Sequence, residues 1–106
     1  MPTFTKLTIQ SELPAADSAK EFPCAINGEE ETICIANVNG TLSAMDNVCL
    51  HRGGPLGEGT IENGKVVCPW HGWRWDPKTG QADQDSKARL AIYPLKIENG
   101  DVLVEI

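Results

Sequence analysis

Several things are scarce in this chain of 106 residues, and each scarcity removes a class of function. Basic residues are few: nine Lys and Arg stand against fifteen Asp and Glu, a formal net charge of -6. That is the wrong sign for gripping phosphate backbones through counterion release, so nucleic acid is excluded as a partner. No apolar run approaches the ~20 residues that span a bilayer, and Met1 to Lys6 has no signal-peptide core. No membrane contact is expected, and the location is expected to be cytoplasmic. There is no Gly-x-Gly-x-x-Gly, so no dinucleotide fingerprint. No stretch holds a helical period over ten residues. Histidine is scarcest of all, with two copies, His51 and His71.

What is present is turn chemistry. Asn-Gly occurs at 27–28, 39–40, 63–64 and 99–100, each time between β-branched or apolar stretches. Both residues tolerate the positive φ of a type I′ turn, which makes the pair a strong hairpin signal. The pattern predicts strands over residues 3–9, 22–26, 32–38, 41–45, 60–61, 65–67, 72–75, 92–97 and 102–106, with loops over 11–19 and 81–88. A single helical turn around 15–20 has no convincing cap. The expected fold class is all-β, a small sandwich or barrel in one domain, residues 1–106, with a subdomain at about 47–75 inserted on the scaffold.

Both histidines lie beside cysteines. Cys49-Leu50-His51-Arg52-Gly53-Gly54-Pro55-Leu56 and Cys68-Pro69-Trp70-His71-Gly72-Trp73 each pair one thiol with one imidazole. Two thiolates and two imidazoles suit either zinc or an iron-sulfur cluster with mixed ligands. Structural zinc sites favour like-with-like pairs two to four residues apart, whereas here each pair is mixed and one has a single intervening residue. The glycines between the pairs, Gly53, Gly54, Gly57 and Gly59, suit backbone that must pass close to a bulky group.

These two motifs resemble the Rieske [2Fe-2S] motif of soluble Rieske-type ferredoxins, of the dioxygenase-system kind or like the nitrite reductase small subunits that share the fold but often lack the ligands. The resemblance extends to chain length, the β scaffold and the closing Tyr93-Pro94-Leu95-Lys96-Ile97 segment, and so covers essentially the whole chain. It implies one cluster, with Cys49 and Cys68 on one iron and His51 and His71 on the other. Oxidised, such a centre has no net formal charge, so one electron is added more easily than to an all-cysteine cluster.

Departures from the pattern of cytochrome-complex Rieske proteins matter. Gly54 and Trp70 stand where those proteins place a disulfide that ties the loops, and Trp73 stands where they place a serine that bonds a sulfide. Fewer hydrogen bonds to sulfur leave the reduced state less stabilised, so the expected potential is on the order of -150 mV, at the low end of the Rieske range.

The resemblance implies a non-catalytic electron carrier between a flavoprotein reductase and a terminal oxygenase or other redox enzyme. A Rieske oxygenase needs a second iron site with two histidines, and both are already assigned. The alternatives are a small subunit of a larger enzyme such as nitrite reductase, and a zinc-stabilised interaction module. Around the motif, Trp75 reads as core, and Trp70 as a candidate for contact with the cluster. Leu50, Pro55, Leu56 and Pro69 read as an apolar rim, and Arg52 and Arg74 as charges that orient a partner. Cys24 and Cys34 flank the first Asn-Gly and are expected as two buried free thiols.

Overall fold

The computed structural model describes residues 4–26, 28–47, 55–70, 72–85 and 87–105. Among the described residues ten strands run in chain order: β1 (Phe4–Ile9), β2 (Ser18–Ile26), β3 (Glu29–Val38), β4 (Thr41–Asp46), β5 (Thr60–Glu62), β6 (Lys65–Val67), β7 (Arg74–Trp75), β8 (Ile92–Tyr93), β9 (Leu95–Glu98) and β10 (Asp101–Glu105). Two short 3-10 turns, Gln10–Glu12 and Leu56–Glu58, are the helical elements among the described residues. The all-β expectation holds.

Three Asn-Gly pairs turn the chain as expected. Asn39, Asn63 and Asn99 all sit at φ 51, followed by Gly40, Gly64 and Gly100 at φ 92, 78 and 82. Positive φ at both central residues defines the type I′ turn, whose twist matches the paired strands. These turns join β3 to β4, β5 to β6 and β9 to β10. Asn27 lies outside the described residues, and Gly28 has φ 81.

The strands form three antiparallel sheets, ordered β1-β10-β9, β2-β3-β4-β8 and β5-β6-β7. The four-stranded sheet is the middle layer. Successive side chains of a strand point to opposite faces. Ile33 and Ile35 therefore pack with Phe22, Ala44, Val102 and Val104 on the side of β10. Cys34 and Ala36 pack with Met45, Leu56, Val66, Cys68 and Trp75 on the other. This explains the unbroken apolar run Ile33-Cys34-Ile35-Ala36, which departs from strict alternation because β3 is covered on both faces.

Three elements differ from the sequence expectation. Strand β2 begins at Ser18, so the loop foreseen over 11–19 is shorter and no helical turn forms around 15–20. Its polar start is held in the ladder by β3, with Ser18 opposite Asn37 and Glu21 opposite Cys34. The strand foreseen over 92–97 is broken at Pro94, which has no N–H to give a ladder. The chain leaves the middle sheet there and joins β10, and the Pro94 carbonyl accepts the Glu105 N–H at 2.9 Å. Finally, residues 81–88 carry isolated bridges from Ala82 to Trp75 and from Gln81 to Arg89.

Cys24 and Cys34 do not meet. Cys24 is opposite Glu31 and Cys34 opposite Glu21, three positions apart along the ladder, so their side chains leave opposite faces of the sheet. Both are free thiols. Only Cys34 is buried; Cys24 is half-buried, which corrects the expectation of two buried thiols.

Candidate metal centre

Of the four candidate ligands, Cys68 lies among the described residues, while Cys49, His51 and His71 lie outside them. Cys68 follows β6 directly and is 1% exposed. Its N–H donates to the Trp73 carbonyl at 2.8 Å, extending the β6–β7 pairing by one step. Gly72 has φ 74, a conformation suited to glycine. The cysteine of the second motif is thus held at the end of the β6–β7 pairing and packs into the core.

The first motif is closed at its base by Asn47, the one buried polar side chain among the described residues. Asn47 stands just before residues 48–54, and Leu56 and Gly57 come just after them. The Asn47 carbonyl accepts the Leu56 N–H at 2.7 Å, and its side-chain Oδ1 accepts the Gly57 N–H at 2.6 Å. Its Nδ2 donates to Glu21 Oε2 at 2.6 Å. Only one orientation of the amide serves a donor on one side and a carboxylate on the other. Sequence reading missed this residue, whose sole signal is an amide side chain two positions before a candidate ligand.

The last residue of the first motif and the first residue of the second lie in one buried cluster. Leu56 and Cys68 share it with Cys34, Met45, Val66 and Trp75. Leu56 is therefore core and not part of an exposed rim. Pro55 is half-buried and Pro69 exposed, while Leu50 and Arg52 lie outside the described residues. Trp75 is fully buried, as expected, with its indole Nε1 unpartnered. The half-buried Trp73 packs against it, tilted by 36° with 6.0 Å between centroids. Trp70 is 50% exposed, and Arg74 is also exposed.

The glycines of this region serve close packing against protein. A Cβ at Gly57 would fall within 3.0 Å of the Glu21 backbone N and of Asn47 Oδ1. One at Gly59 would overlap the Val67 carbonyl. Gly59 has φ -82, so space and not backbone freedom demands glycine there. Gly53 and Gly54 lie outside the described residues.

Among the described residues no group of three or more Cys, His, Asp or Glu is gathered as for a metal ion. The donors in these two motifs, two thiols and two imidazoles, are soft and borderline ligands of the kind iron-sulfur centres take. A buried cysteine at the end of the β6–β7 pairing, walled by apolar side chains, fits such a centre better than it fits a hydrated ion.

The chain belongs to the Rieske [2Fe-2S] domain family, which it matches over residues 5–94. The family's prosthetic group is a single [2Fe-2S] cluster. Within the family its relatives include the ferredoxin component of the naphthalene 1,2-dioxygenase/salicylate 5-hydroxylase systems of a Ralstonia species. The two are 34% identical over 82 residues, 76% of this chain and 77% of that protein. Solved structures that share the fold include two with high coverage. One is from the complex of reduced oxygenase and oxidised ferredoxin in carbazole 1,9a-dioxygenase, with TM-score 0.79, 19% identity and 96% and 92% of the two chains covered. The other is a protein assigned as the small subunit of an NADH-dependent nitrite reductase from Mycobacterium tuberculosis, with TM-score 0.82, 14% identity and 100% and 96% covered. Among the described residues no helix is long and apolar enough to cross a membrane.

Proposed function

We propose that this chain is a one-electron carrier whose cluster is held by Cys49, His51, Cys68 and His71, and that it passes electrons from a flavoprotein reductase to a terminal oxygenase. The observation that supports this reading is that Leu56, the last residue of the first Cys/His segment, and Cys68, the first residue of the second, pack in one buried cluster. The bound cluster supplies the capacity to take up and release a single electron. The protein's own residues close each ligand segment at its base, exclude water from Cys68 and leave Trp70 exposed beside it. On this reading the chain is not itself catalytic and residues 1–106 act as one domain, with the cluster-binding part at about 47–75.

The ferredoxin relative supports an oxygenase as the electron acceptor, and the acidic net charge favours a partner with a basic docking face. The test is anaerobic reduction by a candidate reductase followed by transfer to an oxygenase, using wild type and single Ser or Ala replacements of the four ligands. Each replacement should abolish cluster loading and transfer, and loading of two irons in any of them would remove that residue from the ligand set. The likeness to the nitrite reductase small subunit supports a second reading, a resident subunit of a larger enzyme. Size-exclusion chromatography separates them, since a subunit co-elutes with its enzyme and a shuttle does not.

A further inference from the structure

We propose that Asn47 is a positioning residue for the first ligand segment, its side-chain amide bridging β2 to the backbone beyond that segment so that Cys49 and His51 are presented from a base of fixed width. This rests on the ligand reading above and goes beyond it, because Asn47 carries no ligand atom.

The argument starts from burial. Asn47 is 4% exposed, and an amide taken out of water must recover its hydrogen bonds within the protein. It does so across three pieces of chain. Its backbone N–H reaches the Thr32 carbonyl on β3 at 3.3 Å, its Nδ2 reaches the Glu21 carboxylate on β2, and its Oδ1 and carbonyl take the Gly57 and Leu56 N–H groups. Asn47 and the Leu56-Gly57 backbone are therefore tied together by two hydrogen bonds of 2.6 and 2.7 Å. The packing leaves no slack. At Gly57 a single added carbon would strike β2 and the Asn47 oxygen, so this backbone is pressed against the bridge. Glu21 contributes a charged acceptor, and hydrogen bonds to charged groups are shorter and stronger than neutral ones. A single residue, Val48, separates Asn47 from Cys49 in the sequence, so a shift at Asn47 falls one position short of the ligand.

The arrangement makes a test by polarity swap possible. Asn47→Leu removes both side-chain bonds with little change of volume. Asn47→Asp combined with Glu21→Gln reverses the donor and acceptor between the pair, conserves total charge and leaves a carboxylate oxygen for the Gly57 N–H. Cluster-loaded full-length protein would be compared by visible circular dichroism, midpoint potential, the rate of iron loss to a chelator, and thermal midpoint. Asn47→Leu should lose iron faster by about tenfold, the lower end of the affinity loss seen when a hydrogen-bond partner of a metal ligand is removed, because Asn47 acts through the backbone, with an altered spectrum and potential. The swapped pair should return rate, spectrum and potential toward wild type. A purely structural Asn47 would lower the thermal midpoint and leave the rate, the spectrum and the potential unmoved, which would overturn the proposal. A swapped pair that folds without restoring the cluster would overturn it as well. If Asn47→Leu does not fold, Glu21→Met decides the matter: faster iron loss supports the bridge, and an unchanged rate refutes it. Cys49→Ser serves as the reference. If it retains the wild-type cluster, the ligand reading fails and this inference falls with it, whereas cluster loss there with no effect of Asn47→Leu or Glu21→Met counts against the bridge alone.

Discussion

Gly59 offers a sharp test of how the scaffold controls the site. It stands between the Leu56–Glu58 turn and β5, and its N–H donates to the Leu56 carbonyl at 3.0 Å. Replacing it with alanine would set a methyl group well inside the 3.0 Å that real Cβ contacts respect, against the carbonyl of Val67. That atom is backbone and cannot swing aside as a side-chain end would. The two segments must separate by on the order of 1 Å, whereas metal-ligand distances tolerate only about 0.2 Å. Val67 is joined to Cys68, so the strain falls directly on a candidate ligand. Overpacking of this kind costs about 1–3 kcal/mol. With an unfolding entropy near 2.1 cal/mol/K per residue, that lowers the thermal midpoint of a 106-residue chain by about 5–14 °C. Gly59→Ala should therefore melt early and load less iron than wild type, read by differential scanning calorimetry and iron analysis on the same preparation. Gly64→Ala is the control. Gly64 has φ 78, and a Cβ there would meet only Val38 Cγ1 at 4.0 Å, so it should cost about 1 kcal/mol of backbone strain and leave iron content intact. Full iron loading and a midpoint within a degree or two of wild type in Gly59→Ala would refute the reasoning.

Other consequences concern thiols, surface charge and docking. Burial first, and then the Glu21 carboxylate, push the Cys34 thiol up to about 12, so the folded state keeps a proton that the unfolded chain releases near 9. The unfolded state then binds fewer protons across this window. The contribution of Cys34 to stability is complete below about pH 9 and falls toward pH 12, which Cys34→Ala should remove from alkaline denaturation curves. At neutral pH a thiol reagent should modify half-buried Cys24 well before Cys34, as peptide mapping would show. Lys65, ion-paired to Asp83 at 3.0 Å and Asp76 at 3.7 Å near the surface, should cost no more than about 1 kcal/mol when changed to Met, an effect that shrinks in high salt. Trp70→Ala should leave thermal stability within about 0.5 kcal/mol, because the ring is half exposed, yet weaken oxygenase binding about tenfold or more by surface plasmon resonance. Unchanged binding would place the docking face elsewhere.

Local chemistry was the part of this fold most legible beforehand. The Asn-Gly turns needed positive φ at both positions, and Asn39, Asn63 and Asn99 adopt it. Trp75 was readable as core from its place on an alternating strand, and it is fully buried. Long-range pairing was hidden. Nothing in Ser18 to Glu21 favours a strand locally, yet β3 supplies a partner for each residue, an instance of tertiary pairing overriding propensity. Leu56 looked like a rim residue because it follows glycines and a proline, and only the packing of β3, β4 and β6 around it makes it core. The glycines were readable as sites of close approach, but the neighbours of Gly57 and Gly59 are β2 and β6 themselves. Asn47 was invisible as a bridge because its partners at Glu21 and Gly57 are 26 and 10 residues away.

The central claim is that two thiolates and two imidazoles of this chain hold one [2Fe-2S] cluster. The most direct measurement is iron and acid-labile sulfide analysis combined with pulsed electron paramagnetic resonance of the reduced protein, grown with and without nitrogen-15 histidine. The account predicts two irons and two sulfides per chain, and hyperfine coupling from two histidine nitrogens that changes with the isotope. A colourless zinc protein, or a reduced iron-sulfur signal indifferent to the histidine label, would contradict it.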